Sequence, residues 1–129
     1  MKKVFLPITI LLTVVLAFSF KSYVDSRVRT DIKDNVKKYN ELLIKSVKDL
    51  KENDVENKEI IDDIIIFTGK YNVVNTSRKE KDLLSGLTSL SLDYMQMVNA
   101  KKDNKPEVFN TCYSKFENSS SSLSSYFKK

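Results

Sequence analysis

The sequence predicts an all-α chain: an N-terminal transmembrane or signal helix over residues 1–21, then an antiparallel up-down four-helix bundle over residues 22–129. Three observations predict it. After residue 22, apolar residues recur at steps of three and four, the spacing of one face of an α-helix. Three short polar clusters interrupt that pattern, which divides it into four segments. Glycine and proline occur only twice each, too few for the many turns of an all-β fold.

The first element opens with Lys2 and Lys3, runs without a charge from Val4 to Phe20 and closes at Lys21. A helix of about 17 residues is roughly 25 Å long, close to the roughly 30 Å hydrocarbon core of a bilayer. Lysines are costly inside that core, so the three mark its edges, and the N-terminal pair favours a cytoplasmic N-terminus with the remainder outside. Two fates follow. The segment stays as a signal-anchor, or it is cut at Ser19/Phe20 after the small residues Ala17 and Ser19. Phe18 and Phe20 crowd that cut and no polar region leads to it, which favours retention. Either fate exports the domain.

The first bundle segment carries the stripe Val28, Ile32, Val36, Tyr39, Leu43, Val47 and Leu50. On its other face Asp34 precedes Lys38, and Glu41 precedes Lys45, by four residues, the favourable order for helix ion pairs. A break is expected at Asn53-Asp54, both good N-caps, with Asn53 and Glu56 at capping-box spacing. The second segment follows through Ile60, Ile64, Phe67, Tyr71 and Val74, with Ile61, Ile65 and Ile66 widening the apolar face. Its β-branched run suits a buried strand too, but Asp62 and Asp63 interrupt it and no second strand is available to pair, so helix is expected. Gly69 weakens the helix near its end.

Asn75-Thr76-Ser77 is the next stop, and Ser77 with Glu80 repeats the capping-box spacing. The third segment runs through Leu83, Leu84, Leu87, Leu90, Tyr94, Met95 and Val98, with Lys101 and Lys102 against the negative end of the helix dipole. In the third connector, Asn104 is a candidate cap, Pro106 fits a first helical turn and Glu107 suits the positive helix end. The fourth segment carries Phe109, Cys112, Tyr113, Phe116, Leu123, Tyr126 and Phe127. Its middle, Asn118 to Ser122, is serine-rich and is expected to loosen or bend, because serine is an indifferent helix former.

Composition narrows the chemistry. The chain has 129 residues, no histidine, no tryptophan and one cysteine, which disfavours histidine acid–base catalysis, most transition-metal sites and any intramolecular disulfide. Asp62 and Asp63 are adjacent, so on a helix they diverge by about 100°, and Asp93 stands alone among Ser91, Leu92 and Tyr94. No carboxylate pair, calcium loop or phosphate-binding glycine loop is present. We therefore expect no catalytic residues, no metal and no cofactor. Cys112, between Phe109 and Phe116, reads as a small buried hydrophobe, and the tyrosines read as core residues with hydroxyls at the rim. Net charge is +5, but the cations are interleaved with acids, so nucleic acid is not an expected partner.

Lysine-, asparagine- and isoleucine-rich usage and the Met-Lys-Lys start resemble exported proteins of AT-rich bacteria. The expectation is a non-enzymatic, membrane-anchored extracytoplasmic module. It would bind a protein partner at the cell envelope, as an accessory, inhibitory or immunity-type factor. The alternatives are a ligand-binding co-receptor or sensor subunit, and a secreted helical effector if the leader is cut.

Overall fold

The computed structural model describes residues 27–71 and 75–127. The transmembrane or signal helix expected over 1–21 lies outside these residues. Among those described, no helix is long and apolar enough to cross a membrane. They form four helices and no strand: α1 (Thr30–Asn53), α2 (Ile60–Thr68), α3 (Arg78–Lys102) and α4 (Pro106–Phe127). The arrangement is consistent with a helical bundle.

The chain directions alternate. Arg29, just before α1, lies 5.2 Å from the ring centroid of Tyr71, just after α2, and bonds Glu80 in the first turn of α3. Lys79 at the start of α3 stands 5.0 Å from the ring of Tyr126 in the last turn of α4. Those four helix ends therefore share one end of the bundle, called here the entry end. The α1–α2 and α3–α4 connectors meet at the other: Lys101 pairs with Asp54 at 2.6 Å and Lys102 with Glu56 at 3.4 Å.

Ile32, Val36, Leu43 and Leu50 fill the core from α1, Ile60, Ile64 and Phe67 from α2, Leu83, Leu87, Leu90, Tyr94, Met97 and Val98 from α3, and Phe109, Cys112, Phe116 and Leu123 from α4. Each fully buried aliphatic or aromatic side chain contributes about 1.5–3 kcal/mol relative to exposure. Helix α3 is central. It packs most extensively on α4 and then on α1, whereas α1 and α4 touch each other sparsely for helices of their length. That sparse seam positions the candidate site.

Several expectations need correction. Asn53 and Asp54 do not cap α2; they end α1. Asp54 adopts the left-handed conformation (φ 55°), and its N–H and that of Val55 both reach the Asp49 carbonyl. Asn104 does the same at the end of α3 (φ 55°), letting Lys105 N–H reach the Ala100 carbonyl at 2.8 Å, so it closes α3 rather than capping α4. The physical reason is shared. The last carbonyls of a helix need donors, and Asp and Asn tolerate the left-handed turn that supplies them. The Ser77–Glu80 capping box forms as expected.

Ile65 and Ile66 do not join the core. They are 60% and 63% exposed, because α2 is a short helix resting on its Ile60–Ile64–Phe67 edge. It ends at Thr68, so Tyr71 packs from a turn rather than a helix, and Val74 lies outside the described residues. In α3 the buried methionine is Met97, while Met95 is 42% exposed. Nor does the serine tract interrupt α4. Ser122 and Ser125 hydroxyls donate to the carbonyls of Asn118 and Ser121, each four residues back, leaving the helix continuous.

Gly86 lies within α3, where a β-carbon would sit 3.6 Å from Leu123 Cδ1, an ordinary contact. Gly86→Ala is expected to stabilise the protein by up to about 1 kcal/mol through helix propensity. A rise in the urea midpoint at unchanged slope checks it.

Candidate functional site

Two sets of polar groups between these helices are occupied by the fold itself, and a third lines an open groove. At the entry end, Glu80 is completely buried. Its carboxylate accepts from Ser77 N–H at 2.8 Å, from Arg29 N–H at 2.9 Å and from Arg29 Nε at 2.9 Å. Ser77 Oγ accepts from Glu80 N–H at 3.1 Å and donates to the Arg27 carbonyl. Burial pushes the Glu80 carboxyl up, but the Ser77 and Arg29 donors outweigh it and hold the group below its ordinary value. Beside it, Tyr71 Oη donates to Asp31 Oδ2 at 2.6 Å. That bond lowers Asp31, while burial and the same carboxylate raise the phenol to about 12. The lead-in to α1 is thereby clamped to the start of α3.

The second set ties α1 to α4. Asn40 Nδ2 donates to Ser124 Oγ at 2.9 Å, and Ser120 Oγ donates to Asn40 Oδ1 at 2.9 Å. Asn40 is 2% exposed, and this pairing satisfies its amide in the core.

Beyond Asn40, away from the entry end, α1 and α4 part and leave an open groove of about 580 Å³. Val47 and Phe116, both 3% exposed, form its floor. Ile44, 44% exposed, stands on its α1 side with Lys48, Lys51 and Glu52, and Tyr113, Glu117, Asn118 and Ser121 stand on its α4 side. Lys51 Nζ lies 4.2 Å from the Tyr113 ring centroid, and that ring stacks on Phe109 at 6.3 Å and 10°. Tyr113 hydrogen-bonds Glu117, which, together with burial, raises the phenol above its ordinary value. Past Lys51 a second hollow of about 290 Å³ continues along Phe109, Lys101 and Asn110. Lys51 lines both hollows.

The residues weighed for chemistry are not brought together. Asp62 and Asp63 are exposed on α2. Asp93 is half-buried on α3, where burial raises its carboxyl and Lys115 of α4 opposes that rise. Cys112 is buried, with Sγ donating to Gln96 Oε1 at 3.4 Å. Among the described residues no three Cys, Asp or Glu side chains converge as metal ligands. The groove itself was not anticipated from the sequence. Its signal was available: Asn40 follows Ile32 and Val36 at four-residue steps, marking a polar position on an apolar stripe.

Comparison of the chain with protein-family models, with curated proteins and with solved structures finds no match.

Proposed function

We propose that this chain is a non-enzymatic protein-binding module, held at the outer face of a cell membrane by residues 1–21, and that it receives a segment of a partner protein in the α1–α4 groove. The groove is the observation that carries this reading. It is an opening between two helices, with apolar surface at Ile44 and the Tyr113 ring and two cations, Lys48 and Lys51, against one acid, Glu52, on the α1 rim. An amphipathic helix with an apolar stripe, and carboxylates on the flank facing α1, fits that pattern. The uncharged run Val4–Phe20 between lysines supports the anchor. If the leader is cut at Ser19/Phe20, the same groove works in the medium, and cell fractionation with the mass of the mature chain distinguishes the two.

A second reading has one observation in its favour. The groove volume falls in the range of small-molecule sites, as a ligand-binding co-receptor would need. A thermal-shift screen of small solutes tests it, since a specific ligand raises the melting temperature.

The partner reading is tested by placing a photo-crosslinking amino acid at Ile44 or Asn118, with Ile66 on α2 as control, in the native cells. One protein should be captured from the groove positions and not from the control. Ile44→Asp should then weaken binding of that purified protein at least about tenfold, equivalent to 1.4 kcal/mol. Because Ile44 is 44% exposed, the fold should change by no more than about 0.5 kcal/mol. Equal binding by wild type and Ile44→Asp rejects the groove as the docking site.

A further inference from the structure

The two ends of the bundle differ in charge. At the entry end, spanning residues 27–34, 68–71, 75–82 and 124–127, the acids are Asp31, Asp34, Glu80 and Asp82. Glu80 is buried against Arg29, whereas Asp31 is exposed and accepts from the Tyr71 hydroxyl. The cations Arg27, Lys33, Lys70, Arg78, Lys79 and Lys81 are exposed there and outnumber the exposed acids Asp31, Asp34 and Asp82, with Tyr126 beside Lys79. At the opposite end acids and lysines are interleaved, and Lys101 and Lys102 are paired with Asp54 and Glu56. The basic character is therefore local to the end where the chain enters the bundle.

Distance makes that location meaningful. Arg27 lies six residues after Lys21, where the apolar run closes. Even fully extended, six residues span only about 20 Å. A bundle so tethered keeps its basic end near the headgroups, and a lean of the bundle brings the cations within the roughly 8 Å over which charges act at physiological salt.

We propose that the entry end is a docking surface for anionic lipid headgroups, which sets the bundle's orientation on the membrane and leaves the α1–α4 groove pointing away from it. This rests on the anchored reading given above. Phosphate oxygens match exposed Arg and Lys, and aromatic residues such as Tyr126 suit the polar–apolar boundary. Burial of Glu80 against Arg29 withdraws one acid from that surface, where the exposed cations outnumber the exposed acids.

The full chain carrying Phe127→Trp, in a protein otherwise without tryptophan, supplies the probe. It is reconstituted into vesicles of phosphatidylcholine alone or with phosphatidylglycerol, and flotation and tryptophan emission are both read. The expected result is flotation with both vesicles, and emission at shorter wavelength only with phosphatidylglycerol. That shift should disappear in 1 M salt, where the screening length falls to about 3 Å, and in the Arg78→Gln/Lys79→Gln/Lys81→Gln variant. It should persist in the Lys58→Gln/Lys102→Gln/Lys105→Gln variant, which removes the same charge from the far end; circular dichroism checks that both remain helical. Flotation with both vesicles but identical emission overturns the proposal and leaves the anchor standing. So does identical emission combined with loss of protein-partner binding in the first variant, which would assign the basic end to that protein. Flotation only with phosphatidylglycerol, with the shift present, removes the anchor and keeps the lipid-facing end.

Discussion

Glu80→Ala is expected to destabilise the protein by about 3 kcal/mol, the lower end of the range for removing one partner of a buried ion pair. The carboxylate is wholly buried and receives two backbone N–H groups as well as the Arg29 side chain. Its loss breaks a capping box, worth about 1 kcal/mol, and leaves the Ser77 and Arg29 N–H groups without their acceptor. Arg29 is 37% exposed and can turn to water, which keeps the loss below that of a fully enclosed pair. Glu80→Gln keeps an acceptor and should cost less, about 1–2 kcal/mol. Urea unfolding followed by circular dichroism measures both.

The pH dependence has a definite sign. Glu80 and Asp31 both titrate below their ordinary values of 4.5 and 3.8 in the folded protein. A carboxyl depressed by folding contributes its full stability above the unfolded pKa, and that stability is lost as pH falls through the folded pKa. The urea midpoint should therefore be insensitive to these two groups near neutrality and decline once pH drops below about 4.5. Glu80→Gln should flatten that decline. An unchanged acid slope in this variant would show that the clamp does not couple folding to protonation.

Tyr94→Ala is expected to cost about 3–5 kcal/mol, as for other large aromatic truncations in a core. Tyr94 is 1% exposed, and its hydroxyl accepts the Asn57 N–H at 2.8 Å. Asn57 in turn donates through its side chain to Ser46 Oγ at 3.1 Å, so one tyrosine on α3 fixes the connector between α1 and α2. Tyr94→Phe separates the two roles. The ring stays, the connector loses its acceptor, and the cost should fall to about 1–2 kcal/mol. Hydrogen exchange gives a more specific readout: the Asn57 amide should exchange faster in Tyr94→Phe while the amides of α3 are unchanged. Equal protection in both proteins would show that another group holds the connector.

The stripes Ile32–Val36–Leu43–Val47–Leu50 and Leu83–Leu87–Leu90–Tyr94–Val98 were readable because a buried helix face must repeat every 3.6 residues. The Ser77–Glu80 box was readable because capping is a contact across three residues. Cys112 was readable as buried because its neighbours three before and four after are Phe109 and Phe116, on the same face. Asp54 and Asn104 were identified as end residues but assigned to the wrong helices. Asp and Asn serve both as N-caps and as left-handed closers, and composition alone does not separate the two uses. Ile65 and Ile66 failed for another reason. The apolar width of a segment says how much could be buried, whereas a short helix on one edge of a bundle has neighbours on one side only.

The amino-acid order by itself determined four amphipathic helices and their approximate limits, because each depends on residues within a few turns of one another. Tertiary structure decided what Glu80 holds, where Asn40 finds its partners and where α1 and α4 part. Arg29 and Glu80 are 51 residues apart, and Asn40 and Ser120 are 80 apart. Such pairings depend on how far apart the helix axes settle and which faces they turn to each other. That is set by the summed packing of all the core side chains rather than by any local pattern.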